Sequence, residues 1–178
     1  MGYFKKMTGH TQSPPGVDNV EVFWSWLGSF LGIAAVGLIH YNLLDRSALT
    51  MIIGSFGASA VLVYGATRSP LAQPRNLIGG HMLSAVIGVG AFQFLGGTPW
   101  LAAALAVSIA IALMHLTRTL HPPGGATALI AVIGGDAVHG LGFLYVLVPV
   151  GLGALIMLII ALLVNNLAPS RRYPEFWI

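Results

Sequence analysis

Residues 76–117 contain no Asp, Glu, Lys or Arg. As a single helix this stretch would run about 60 Å at about 1.5 Å per residue, roughly twice the hydrocarbon thickness of a bilayer. It must therefore fold back on itself. The turn is written as Gly96-Gly97-Thr98-Pro99, which interrupts a helix through backbone freedom and a missing donor. Only 7% of the 178 residues are charged and 56% are hydrophobic, whereas a soluble domain carries about 25% charged residues. So few charges cannot cover a water-facing surface, and the chain reads as an integral membrane protein. Further apolar runs fall at 23–39, 48–66 and 141–167, with a shorter one at 120–133.

Counting the short run as a crossing gives about six transmembrane helices, and the basic residues test that count. Lys5, Lys6, Arg68, Arg75, Arg118, Arg171 and Arg172 then fall on one side of the membrane, with Arg46 alone on the other, as the positive-inside rule requires. Five spans would place Arg171 and Arg172 opposite the rest. The reading is a multi-pass protein of a bacterial inner membrane with both termini cytoplasmic. Residues 1–21 form a polar arm whose following apolar run starts too late and runs too long for a cleaved signal peptide, and residues 168–178 form a cytoplasmic tail. The net charge of +3 comes from scattered loop residues rather than a basic stripe, so a nucleic-acid partner is not expected. The bilayer is the expected surrounding, and a bundle this small suggests a homo-oligomer. Trp24, Trp26, Trp100 and Trp177 read as interfacial anchors, while His40, Tyr41, Asp45, Arg46, Asp136 and His139 mark the external surface.

The chain also resembles itself. Gly57-Ala58-Ser59-Ala60-Val61-Leu62 in the second span is similar to Gly125-Ala126-Thr127-Ala128-Leu129-Ile130 in the fifth. Each segment holds the second place in a group of three spans, at 22–89 and 90–167. An odd number of spans per group makes the two repeats antiparallel in the membrane. The expected fold is thus all-α, two inverted three-helix repeats with the second and fifth spans broken, an arrangement that points to a transporter site near the midplane.

The break itself is His121-Pro122-Pro123-Gly124-Gly125. The two prolines supply no donors and prevent a helix from running through Leu120, but proline suits the first turn of a new one. A helix from Pro123 would span about half the hydrocarbon core. The amides of Gly124, Gly125 and Ala126, with Thr127 in the next turn, would face the interior, where unpaired donors must line protein or a wet cavity. Such a terminus attracts anions by geometry and dipole. Its counterpart in the second span is Ser55-Phe56-Gly57-Ala58, followed by Ser59. A proline kink packed against neighbouring helices is the bland alternative.

Arg118 and His121 flank the break, Arg75 and Asn76 follow Pro74, and His81 lies a turn into the third span. The arginines serve equally as topology determinants or substrate contacts. Buried histidines are rare in spans and usually face a cavity or partner, and they can carry a coupled proton. No metal site is expected, because His115 and His121 do not share a helical face and no carboxylate stands at ligand spacing. Nor does a nucleophile with a base, a carboxylate pair or a nucleotide loop emerge, so neither an enzyme nor a cofactor is expected.

His121-Pro122-Pro123-Gly124-Gly125-Ala126-Thr127-Ala128, with Pro70-Leu71-Ala72-Gln73-Pro74-Arg75-Asn76, Gly79-Gly80-His81 and Tyr173-Pro174, resembles the HPP family of membrane proteins from about Trp24 onward. Members are usually described with four membrane helices, two fewer than expected here. Some are linked to nitrite transport, so the resemblance implies a transporter or channel for a small monovalent anion such as nitrite. Gating by a fused ligand-binding module is not expected. The alternative is a non-transporting scaffold or subunit of a larger complex.

Overall fold

A computed structural model of the protein describes residues 2–7, 11–44 and 52–178; Asp45 and Arg46, expected on the external surface, lie outside them. The described residues form helices and no strands: α1 (Asn19–Ile39), α2 (Gly54–Gly65), α3 (Pro74–Leu95), α4 (Pro99–Leu116), α5 (Pro122–Ile133), the single turn α6 (Asp136–His139) and α7 (Leu152–Leu167). Four helical stretches are long and apolar enough to cross a membrane, at Asn19–Asn42, Pro74–Leu95, Pro99–Leu116 and Val146–Leu167. The apolar helices α2 and α5 have 12 residues each, or about 18 Å, little more than half a hydrocarbon core.

The boundaries follow local chemistry. Asp18 Oδ1 accepts from the Glu21 amide at 2.8 Å and caps α1. Proline opens α3, α4 and α5, where a missing N–H goes unnoticed. The final apolar run is less regular than its sequence suggests. Val148 leaves helical conformation (φ −136°, ψ 115°) and Pro149 follows it, so Val146–Gly151 is kinked before α7 begins.

Small residues set the packing. Gly28 and Gly32 of α1 lie against the Tyr64 ring of α2, and Gly153 of α7 against the Phe56 ring. Along α3, Gly80 meets His121, and Gly88 meets Ala128 and Ala131 of α5. Both sequence positions advance together, so α3 and α5 run parallel. Close backbone approach through small residues is the usual mode of helix association in lipid.

One end of the bundle gathers the arginines. Arg68 Nη2 donates to the Ser170 carbonyl at 3.2 Å and Arg75 Nη2 to the Thr117 carbonyl at 2.7 Å. Arg171, buried, pairs with Glu21 at 2.7 Å and also donates to the Tyr64 carbonyl, Asn165 Oδ1 and Ser25 Oγ. The start of α1 is thereby fastened to the segment that follows α7. Tyr173, in that segment, donates to the Ala72 carbonyl at 2.8 Å, and burial pushes its phenol pKa up.

Candidate functional site

The two short helices meet inside the bundle. Ser55 and Ser59, one turn apart on α2, face Thr127 and His121 respectively, so α2 and α5 run antiparallel with their first turns overlapping. The overlap sits beside His81, the eighth residue of α3, about 10 Å along that helix from Pro74. From there α2 runs toward the arginine-rich end, where the Tyr64 carbonyl meets Arg171, and α5 runs the other way.

At the overlap five side chains form a continuous polar chain. His121 Nδ1 is 2.8 Å from the Leu71 carbonyl and its Nε2 is 2.9 Å from Ser59 Oγ. Ser59 Oγ is also 2.6 Å from His81 Nε2, and His81 Nδ1 is 2.7 Å from Thr127 Oγ1. Thr127 Oγ1 donates to Ser55 Oγ at 2.9 Å and approaches the Pro123 carbonyl at 3.3 Å. The Tyr145 hydroxyl donates to the Thr127 carbonyl at 3.2 Å. Ser55, Ser59, His81, His121 and Thr127 are all fully buried. Phe56 closes one side, its ring edge-on to His81 with centroids 5.4 Å apart. Every buried side-chain N or O among the described residues has a partner, as an interior without water demands.

The residues singled out from sequence divide into two groups. Ser55, Phe56, Ser59, His81, His121 and Thr127 converge. Pro123 and Gly124 are buried at the start of α5, with Gly124 N donating to the His121 carbonyl at 2.7 Å. Gly125 and Ala126 are half-buried, while Pro122, Gly57 and Ala58 are exposed. Arg75, Arg118 and Asn76 stand toward the arginine-rich end. Arg118 is exposed in a left-handed turn (φ 57°). Asn76 Nδ2 donates to the Leu120 carbonyl at 2.8 Å, holding the segment that descends from α4 to His121.

The motif around residues 69–74 has a local logic that its sequence did not disclose. Ser69 Oγ accepts from the Leu71 amide, and Gln73 Nε2 donates to the Thr67 and Ser69 carbonyls at 2.9 and 2.8 Å. That turn turns the Leu71 carbonyl onto His121. Leu71 entered the sequence reading only within the family motif, since a backbone carbonyl leaves no signal there, and Ser84 and Tyr145 escaped it: Ser84, which reaches Met114 Sδ at 3.7 Å, looks like any small residue in a span. Tyr145 sat in the run read as part of the last span, with nothing to mark its partner.

The cavities lie elsewhere. A cleft of about 480 Å³ at the arginine-rich end is lined by Asp18, Glu21, Arg68, Ser69, Ser170 and Arg171 among others. A smaller one of about 50 Å³ lies at the opposite end, beside Gln93 and His139. Among the described residues no group of three or more His, Cys, Asp or Glu is placed to hold a metal ion.

Comparison with known proteins points to a membrane protein. The family described as HPP, transmembrane region, matches residues 14–174. Two proteins of Dictyostelium discoideum, each named only as a transmembrane protein, are 49% identical over 178 residues and 51% identical over 180. Each match covers 98% of this chain but only 57% and 63% of the relatives, which are longer. No solved structure matches.

Proposed function

This chain belongs to the HPP transmembrane family, and from that premise we propose that it is a transporter or channel for a small monovalent anion, nitrite by the family resemblance. One observation carries the reading: α2 and α5 both begin inside the bundle and overlap there antiparallel, Ser59 against His121 and Ser55 against Thr127. The two amino termini lie side by side in that overlap, so an anion bound there would meet the positive ends of both helix dipoles. The hydroxyls of Ser55, Ser59 and Thr127 and the ring N–H groups of His81 and His121 supply the donors; the amides of Phe56 and Gly124 are taken by the Ile53 and His121 carbonyls, and Gly57, Ala58, Gly125 and Ala126 follow them in the same opening turns. In the present packing these groups contact one another. Arg75, Arg118 and Asn76 line the approach from the arginine-rich end, with Pro122 and Pro123 fixing where α5 begins.

The same reading takes residues 22–89 and 90–167 as inverted repeats with six crossings, two of them built on α2 and α5. Their antiparallel overlap supports it. Both termini lie on the cytoplasmic side, since Arg68, Arg75 and Arg171 share one end, and a bacterial inner membrane is the proposed setting. Large exposed apolar side chains such as Phe30, Phe94 and Trp100 meet lipid or a second copy in a homo-oligomer.

Nitrite uptake by proteoliposomes containing the purified chain tests the reading. His121→Ala is expected to abolish uptake while the protein stays folded, and unchanged uptake would sink the site assignment. Every buried side-chain N or O among the described residues has a polar group within reach without any ligand, which favours a second reading, a non-transporting scaffold or subunit, because a structural core also needs its polar groups in contact. Thermal stabilisation of the purified protein by nitrite supports transport, since a ligand that binds only the folded state stabilises by mass action. No shift with any small anion supports the scaffold.

A further inference from the structure

The Ser59 hydroxyl has one proton and two ring nitrogens to serve, His81 Nε2 at 2.6 Å and His121 Nε2 at 2.9 Å. The outer contacts fix where each imidazole keeps its own proton. The Leu71 carbonyl can only accept, so His121 donates to it from Nδ1. Thr127 O–H is directed at Ser55 Oγ and the Pro123 carbonyl, so Thr127 Oγ1 accepts from His81 Nδ1. A neutral imidazole carries a single N–H. Both Nε2 atoms are therefore bare, and both face the same hydroxyl. Ser59 can donate to one; the other sets a nitrogen lone pair against an oxygen lone pair at hydrogen-bond distance, inside protein, where an unmade bond is costly. With Thr127 donating to Ser55 Oγ, the Ser55 proton fills none of the five contacts that run from the Leu71 carbonyl to Ser55, and only the four protons of His121, Ser59, His81 and Thr127 are left to fill them.

We infer that the His81–Ser59–His121 bridge is a binding site for one proton. The proton arrives from hydronium, which leaves as water. It attaches to the Nε2 that Ser59 does not serve and completes the missing N–H···O bond to Ser59 Oγ. No covalent bond in the protein breaks. The capacity is one, because two imidazolium rings with centroids 4.9 Å apart would repel each other in a low-dielectric interior. The groups that face the bridge are Ser55, Phe56 and Ser59 on α2, Thr127 on α5, the Leu71 carbonyl, and Tyr145 through the Thr127 carbonyl, with Ser84 and Met114 paired to each other beside Gly124. None is a carboxylate or a fixed cation. The nearest arginines are engaged elsewhere, Arg75 by Thr117 and Arg171 by Glu21. The positive charge thus has no counterion in the protein, and an anion at the overlapping helix termini supplies one. The use of the proton as a coupled ion rests on the transport reading above; its binding does not.

Nuclear magnetic resonance of the histidine ring nitrogens, on ¹⁵N-labelled protein in lipid bilayers, tests the inference. At neutral pH both buried rings are expected to carry their proton on Nδ1 and to have bare Nε2 atoms. On acidification the two Nε2 signals should change in one common step equal to one added proton, and Ser59→Ala should abolish that common step. His121→Gln and His81→Gln assign the signals. A His81 ring protonated on Nε2 at neutral pH would overturn the inference, since donors running from Ser55 through Thr127 would then complete the chain without an extra proton. Independent titration of the two rings would overturn it too. The spectrum of the unsubstituted protein decides the tautomer even if the variants fail to fold. A common step without nitrite uptake would leave the proton site standing and remove the transport reading, and uptake without a common step would do the reverse.

Discussion

Asn76 reaches across 44 residues of sequence to donate its side-chain amide to the Leu120 carbonyl, 2.8 Å away. The bond is made one residue before His121, where the chain coming down from α4 has left helical structure and has not yet entered α5. Removing it with Asn76→Ala leaves the Leu120 carbonyl without that donor and should cost about 1–2 kcal/mol. The expected result is a lower melting temperature in detergent and a smaller fraction of His121 in its bonded position. An unchanged melting curve would show that the descending segment is held by other contacts.

Adjacent glycines at the start of α5 should behave differently. A methyl group on Gly124 would stand 2.8 Å from Ser84 Oγ and 2.9 Å from the Gly80 carbonyl, whereas one on Gly125 meets only Val107 Cγ1 at 3.8 Å. Gly124→Ala is therefore expected to lose about 1–3 kcal/mol through overpacking, and Gly125→Ala to gain about 0.5–1 kcal/mol from the higher helix propensity of alanine. Thermal unfolding of the pair in parallel checks this. Equal effects at the two positions would contradict the packing of α5 on α3.

Arg171 and Glu21 lie 150 residues apart in sequence and form the ion pair that closes the arginine-rich end. Arg171→Met should destabilise the protein by about 3 kcal/mol, since it strips a buried pair and leaves the Tyr64 carbonyl and Asn165 without donors. Arg171→Lys should recover little, because one ammonium cannot copy the fork that reaches Glu21, Ser25 and Asn165 together. Melting temperatures that rank lysine level with arginine would refute this.

The absence of cysteine from the 178 residues makes the crossing count directly measurable. Single substitutions Ser170→Cys and Arg118→Cys should react with a membrane-impermeant thiol reagent from one side of sealed vesicles, and Thr98→Cys and Asp136→Cys from the other. Labelling of positions 98 and 170 from the same side would exclude the six-crossing arrangement.

Much of the site was legible because proline and glycine act locally. The start of α5, read at Pro123 from the two missing donors, lies one residue earlier at Pro122, and its shortness follows from the residues left before Gly134. The likeness of the strings at residues 57–62 and 125–130 pointed to α2 as the partner helix, though it drew attention to Gly57 and Ala58, which are exposed, as much as to Ser59. What joins the halves could not be read along the chain. Ser59 meets His81 and His121 only because α2, α3 and α5 converge, and that convergence depends on Gly80 and Gly88 admitting α5 closely. The Val148–Pro149 break escaped because a long apolar run masks one proline. Arg75 and Arg118 were weighed as ligands on charge alone, and sequence carried no sign that Arg75 serves the last carbonyl of the α4 end.

Two neighbouring carbonyls, Leu71 and Ala72, hold very different groups. The first anchors the buried His121 ring and the second the hydroxyl of Tyr173. Gln73, next in line, accepts from the Glu175 amide through Oε1. The terminal tail and a fully buried polar group of the bundle therefore hang from consecutive peptide units of one short turn. A shift of residues 173–175 would reach His121 across a single peptide plane, with no helix needed to relay it.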